Sequence, residues 1–314
     1  MRKRILVLGG AHLDRRGRIS GETAPGASNP GVWMEEIGGG AFNVARNLSL
    51  LGHDVTMVSP RGGDATADQV ASAAEVAGVT DCPFVFLDRA TPSYTAILER
   101  DGNLVIALAD MDLYRLFSPR RLRTRALRER MANADLIICD ANLPADTLTA
   151  LAAIAVRVNV PVAGVAISPA KVVRFTAALP DLDWLFMNSA EAAALCSMQD
   201  RLTDGWPNLL RALQLRAAVV TDGSRSLTGY RASDTVTVTP PPLEELCDVT
   251  GAGDALAAGT IDAILHGMPL EDALVRGVAA SRITLRSHRS VAPELSRQML
   301  EREAALVAER NKVF

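Results

Sequence analysis

The sequence holds 314 residues, 48% of them hydrophobic, with a formal net charge of −3. A chain of this size and apolar content can bury a large core, as one big domain or one with a small appendage. The slight acidic excess argues against nucleic acid as the main partner, and no apolar run reaches the ~18 residues that a membrane span needs.

In chain order, short apolar runs at residues 5–9, 54–59, 135–140, 162–167, 184–187 and 217–221 read as buried strands. Helical stretches fall between and after them, at 44–51, 67–77, 147–158, 189–196 and 255–266. Such alternation implies crossover connections, and so predicts an α/β fold with a mostly parallel, doubly wound sheet covered on both faces. One region departs from it. Runs at 84–87, 93–100 and 104–109, with Asp101-Gly102 as a hairpin turn, join a segment from about 15 to 37 in a predicted small sheet. The arginine-rich stretch 120–130 reads as the solvated face of a helix, with Leu122, Ala126, Leu127 and Met131 turned inward.

Cys82, Cys139, Cys196 and Cys247 stand far apart without a C-x-x-C pair, so they read as buried thiols rather than a zinc or disulfide framework. His12, His53, His266 and His288 show no metal-ligand spacing. With a strand beginning almost at the N-terminus, the expectation is a soluble, cytoplasmic protein without a membrane partner.

The chemistry concentrates in two glycine clusters. Asp248-Val249-Thr250-Gly251-Ala252-Gly253-Asp254 puts glycines and a carboxylate at the start of the 255–266 helix. The free N–H groups and positive dipole of a helix start attract anions, and glycine lets a ligand approach the backbone. Asp254 would repel a phosphate, so its place makes sense if a substrate hydroxyl loses a proton there. The plain alternative is an Asp N-cap. Gly38-Gly39-Gly40-Ala41-Phe42-Asn43 opens the 44–51 helix in the same manner.

Together these clusters resemble the paired signatures of the ribokinase family, the PfkB carbohydrate kinases. By that resemblance Gly39, Gly40 and Asn43 hold a sugar, Asp248 with Gly251, Ala252, Gly253 and Asp254 matches D-x-x-G-A-G-D, and Asp254 is the catalytic base. Asp14, after the first strand, matches the family's aspartate that grips sugar hydroxyls. Asn188-Ser189-Ala190-Glu191 looks like the N-x-x-E motif on the nucleotide side, with Glu191 holding magnesium through water; the same pair is also a plausible capping box. Thr221-Asp222-Gly223 resembles the nucleotide-side T-x-G turn, although the family's next glycine is Ser226 here, and Thr250 joins Asp248 among the nucleotide-binding positions.

The resemblance implies one kinase domain over residues 1–314, with a β-lid at about 15–37 and 84–112 that closes over the sugar and often pairs with a second subunit's lid. It implies Mg2+, ATP as co-substrate and a small-molecule sugar or nucleoside, and leaves open a monovalent cation and, through Val278, the nucleotide preference. Asp254 is expected to be ionised at neutral pH with an ordinary pKa of about 3.9. Within the family, Asn29-Pro30-Gly31, Thr91-Pro92-Ser93-Tyr94 and the 102–111 segment resemble pseudouridine kinases more than ribokinases or fructokinases. Asn29, Ser93 and Tyr94 are therefore candidate partners for a nucleoside base. A simple sugar kinase, another nucleoside kinase and a non-catalytic sensor remain as alternatives. A dinucleotide-binding dehydrogenase fits poorly, since no G-x-G-x-x-G follows the first strand at Gly9-Gly10.

Overall fold

The computed structural model describes residues 2–197 and 205–312. A nine-stranded sheet runs, edge to edge, through Asp234–Val238, Leu227–Arg231, Ala217–Thr221, Trp184–Asn188, Val162–Val165, Leu136–Asp140, Arg4–Leu8, Asp54–Val58 and Thr80–Asp81. All neighbours pair in parallel except the two strands of the Leu227–Val238 edge, which pair antiparallel. Burial on both faces follows from the period of two. Ile5, Val7, Leu136 and Ile138 enter one apolar layer, while their neighbours Leu6, Leu8, Ile137 and Cys139 enter the other. Helices Gly40–Leu50, Ala252–Leu265 and Leu270–Leu285 cover the first layer, and Ala145–Val158 covers the second.

Arg4–Leu8 lies between Leu136–Asp140 and Asp54–Val58, so the chain winds away from it in both directions. The strand order reverses beside it. In open α/β sheets such a point leaves a crevice beyond the carboxyl ends of the strands, and here those ends are Leu8 and Asp140.

A separate four-stranded sheet has the order Gly31–Gly38, His12–Ile19, Ser93–Leu98 and Leu104–Asp110. The sequence reading differs at several points. Phe84–Phe86 pairs with Pro60–Gly62 in a small parallel ribbon instead of joining this sheet. The 120–130 stretch breaks into Pro119–Leu122 and Arg125–Asn133. That break resets the helical phase, so Leu122, Leu127 and Met131 are buried whereas Ala126 faces solvent. Of the cysteines only Cys139 is buried, and the other three are half-buried free thiols. Among the described residues no helix is long and apolar enough to cross a membrane.

Candidate active site

Asp140, fully buried at the end of its strand, organises the crevice. Its Oδ2 accepts from the Gly10 N–H at 3.0 Å, the Ala41 N–H at 3.1 Å and Asn142 Nδ2 at 2.8 Å, and its Oδ1 accepts from the Asn142 N–H at 3.0 Å. One carboxylate thus ties the first glycine turn, the start of the Gly40–Leu50 helix and the following loop together. Gly39 takes φ +107°, and a Cβ there would run into the Gly10 carbonyl. No other residue fits.

The second glycine turn faces the first. Gly251, in the left-handed region at φ +79°, caps the Ala252–Leu265 helix, and a Cβ on it would meet the Ser290 carbonyl. Ala252 turns its N–H back to the Val249 carbonyl at 3.3 Å. The amides of Gly253 and Asp254 lie in the first turn, where a helix supplies no carbonyl partner, so the anion-directed donors come from Gly251, Gly253 and Asp254. Asp248 does not line the cleft; it braces this turn, accepting from the Thr250 N–H at 2.9 Å, Thr250 Oγ1 at 2.8 Å and Arg16 at 2.7 Å. Burial opposes its charge, but the Thr250 and Arg16 donors hold its carboxyl below the usual range.

Between the turns opens a cleft of about 1040 Å³. Asp14, Gly39, Gly40, Asn43, Tyr94, Asn188, Glu191, Thr221, Gly223, Thr250, Gly251, Gly253 and Asp254 all line it. Residues as far apart in the chain as Asp14 and Asp254 are brought to one surface.

Asp254 accepts from Asn43 Nδ2 at 2.8 Å. Its carboxyl is pushed up to about 7, first by the density of protein around it, against the Asn43 hydrogen bond and Arg46, and with repulsion from Asp140 and Glu191. The expectation of an ordinary carboxylate is thereby corrected. Asp14 stands 3.3 Å from His12 Nε2, and His12 Nδ1 meets Tyr114 Oη at 2.9 Å. A proton on Nε2, facing the carboxylate, leaves Nδ1 to accept from the phenol. Asp14 and Tyr94 are register partners on adjacent strands, which puts both side chains on one face of the small sheet.

On the opposite wall, Asn188 and Glu191 form the capping box, Glu191 N–H to Asn188 Oδ1 at 2.9 Å and Asn188 N–H to Glu191 Oε2 at 2.7 Å. Burial pushes Glu191 above the usual carboxylate range. Thr221 ends the neighbouring strand and Gly223 lies in the turn beyond it, where Asp222 accepts from Ser189 Oγ at 2.9 Å and pairs with Arg225 at 2.7 Å.

A profile described as pfkB family carbohydrate kinase matches residues 3–297. The chain belongs to this family. Pseudouridine kinase of Escherichia coli is 25% identical to this pfkB kinase over 299 residues, covering 93% of each chain. Among solved structures, a carbohydrate kinase from Agrobacterium tumefaciens shares 57% identity at TM-score 0.89, over 97% of this chain and 98% of that one. Arabidopsis thaliana ribokinase, solved with ribose and ATP, has the same fold at TM-score 0.84 and 19% identity, over 97% and 99% of the two chains. This pfkB kinase is therefore a sugar or nucleoside kinase, a phosphotransferase acting on an alcohol with ATP as co-substrate. The dehydrogenase and sensor readings are set aside.

Two of the predicted substrate-binding positions in this kinase lie elsewhere. Asn29 spends its amide on closing its own turn, donating to the Ala24 and Ala27 carbonyls at 3.0 Å and accepting from the Ala24 N–H at 2.8 Å. It borders a separate small pocket with Gly17 and Trp33. Ser93 is half-buried beside Leu13 and is not on the cleft surface.

Other cleft residues were not legible in the sequence. Lys171 reaches Asn142 Oδ1 at 2.6 Å and lines the cleft, its pKa lowered by burial against the pull of Asp140. A signal existed: Lys171 is one of only three lysines, with Lys3 and Lys312, in a chain that otherwise uses arginine. Away from the cleft, His53 joins Asp262 and His266, a pair four positions apart, and all three come within 4.8 Å of one another. Arg297 at 3.1 Å and Arg276 at 3.8 Å already surround Asp262 with positive charge, and His53 Nδ1 accepts from the Lys3 N–H at 3.3 Å. Asp262 is thus held by two arginines and the His53 hydrogen bond at the far end of the Ala252–Leu265 helix.

Proposed function

We propose that this kinase transfers the γ-phosphoryl group of Mg·ATP to the 5′-hydroxyl of a ribose-containing nucleoside, pseudouridine first among them. The observation that carries the reading is the pairing of Asp14 and Tyr94 on one face of the small sheet, with Met111 also lining the cleft. A carboxylate suits sugar hydroxyls, while an aromatic ring and a thioether suit the flat face of a base. The likeness of the 91–94 and 102–111 segments to pseudouridine kinases, and the Escherichia coli relative, support the same choice. A free sugar such as ribose or fructose, or another nucleoside, is the alternative.

In this mechanism Asp14, fixed by His12 and Tyr114, grips the ribose hydroxyls, with Gly39, Gly40 and Asn43 beside it. Asp254 accepts the proton of the attacking 5′-oxygen, and the amides of Gly251, Gly253 and Asp254 stabilise charge on the group in transfer. Glu191 uses one oxygen on Asn188 and keeps the other, raised by burial, for a cation; this hard donor fits magnesium held through water. Magnesium, when bound, draws charge off the phosphates. Lys171 supplies a second positive charge on the cleft wall. The four-stranded sheet acts as a lid that excludes water, which would otherwise compete as acceptor. Its strand Leu104–Asp110 is exposed along its whole length, with Ile106 and Leu108 65% and 70% exposed, and a second copy of the chain covers it in a cytoplasmic homodimer.

The test is ADP release with Mg·ATP and a panel of pseudouridine, uridine, adenosine, ribose and fructose, with the product located by phosphorus NMR. Pseudouridine should give the highest kcat/KM and a 5′-monophosphate. Uridine lacks the extra ring N–H of the carbon-linked isomer, so a site that bonds this group should disfavour uridine by about ten- to a hundredfold. Ribose or fructose as the better substrate would move the protein to the sugar kinases.

A further inference from the structure

Behind Asp254, away from the cleft, lies a chain of hydrogen bonds that neither glycine motif discloses. Helix Gly40–Leu50 carries Asn43 and, one turn on, Arg46. Arg46 Nη2 donates to Asn43 Oδ1 at 2.5 Å and to Ser290 Oγ at 3.2 Å. Asn43 Nδ2 donates onward to Asp254 Oδ2 at 2.8 Å. Ser290 donates its hydroxyl to Glu36 Oε1 at 2.8 Å, and its N–H reaches the same oxygen at 3.1 Å. Both branches therefore start at Arg46 and end on carboxylates. One ends on the base and the other on Glu36, in the Gly31–Gly38 strand of the lid.

The chemistry of the groups fixes this direction. A guanidinium only donates, so it can face only the oxygen of the Asn43 amide. That leaves the amide nitrogen facing Asp254, which accepts from it when ionised. With the amide reversed, two oxygens would oppose each other at the base. Ser290 gives its single hydroxyl proton to Glu36 and so keeps a lone pair for Arg46. The guanidinium is further held over the Phe42 ring, 4.8 Å from its centre. Arg46 does not line the cleft and so cannot touch the substrate directly.

The geometry points to Arg46 as a positioning residue for the phosphoryl transfer: it sets the orientation of the Asn43 amide, keeps Asp254 aimed, and ties the base to the lid strand through Ser290 and Glu36. This inference rests on the reading of Asp254 as the base. The charged groups facing Asp254 are Asp140 from its strand end, Glu191 from the Ser189–Leu195 helix and Arg46. Arg46 is the one cation among them, and it faces Glu36, Asp14 and Arg289 as well.

The test is a double-mutant cycle with Arg46→Met and Asp254→Asn, supplemented by Arg46→Lys. Arg46→Met should lower kcat about tenfold or more and leave KM for ATP within about twofold. Its acid limb of kcat should move to higher pH, because the lost cation no longer favours the carboxylate. Arg46→Lys, which keeps a cation and a donor, should recover most of the rate. In the Asp254→Asn background, Arg46→Met should lower the residual rate no further. An unchanged kcat and pH limb in Arg46→Met, or the same fold loss in both backgrounds, would overturn the inference while the base assignment stands. Near-normal turnover by Asp254→Asn alone would remove the base assignment and the inference with it. Thermal melting checks that the variants fold, and Arg46→Gln, which keeps a donor without the charge, replaces the Met variant if that one does not.

Discussion

Asp254 is held in a state that resists its own ionisation. With its carboxyl at about 7 against an ordinary 3.8, a large part of the resting population is protonated at neutral pH. A base works only when deprotonated, so kcat/KM should fall as pH drops through about 7, tenfold per unit well below it. A rate profile that stays flat down to pH 5 would contradict this. The gain is a stronger base near working pH. Asp14 has the opposite task, and Asp14→Ala should weaken substrate by about 1.5–3 kcal/mol, one to two decades, while leaving ATP affinity unchanged. Isothermal titration with each ligand decides it, and a loss on ATP instead would mean that the two ends of the cleft are reversed. Asn43 and Asp254 could be named from the sequence because each stands in a motif of fixed spacing, and Asp14 only through the family resemblance those motifs carry. Asp140, Lys171 and Arg46 could not, since the contacts of Asp140 with Gly10, Lys171 with Asn142 and Arg46 with Ser290 span about 30 to 240 positions and only folding makes them.

At the scale of elements, alternating apolar runs were enough to give the parallel sheet, because a strand buried on both faces must be apolar throughout. The small sheet was harder. Phe84–Phe86 has the composition of a strand, but composition does not choose a partner, and it pairs with Pro60–Gly62. Asn29 misled for a related reason: asparagine before Pro-Gly closes turns with its own side chain, and here it does so. Asn29→Ala should accordingly leave the preference for pseudouridine over ribose unchanged. Tyr94→Ala should shrink that preference about tenfold, since Tyr94 shares the cleft-facing side of the sheet with Asp14. Paired kcat/KM measurements on the two variants check both statements, and a loss of preference in Asn29→Ala would put the base-binding surface at the wrong edge of the lid.

For the whole molecule, the doubly wound sheet brings its reversal point, the two glycine turns and the lid to one side. Outside the small sheet the exposed large apolar residues are scattered, whereas the Leu104–Asp110 strand is bare along its whole length and Val32, Trp33 and Met34 are exposed in the same sheet. Ile106→Lys should shift the protein from dimer toward monomer in sedimentation velocity, with an unaltered sedimentation coefficient counting against the lid contact. The central claim is that this assembled cleft transfers phosphate with Asp254 as its base. The most direct measurement is the turnover of Asp254→Asn with Mg·ATP and pseudouridine at pH 8, with nucleotide affinity measured in parallel. The account predicts a kcat lower by on the order of 10² or more with nucleotide affinity nearly intact, whereas turnover close to that of the unaltered protein would contradict it.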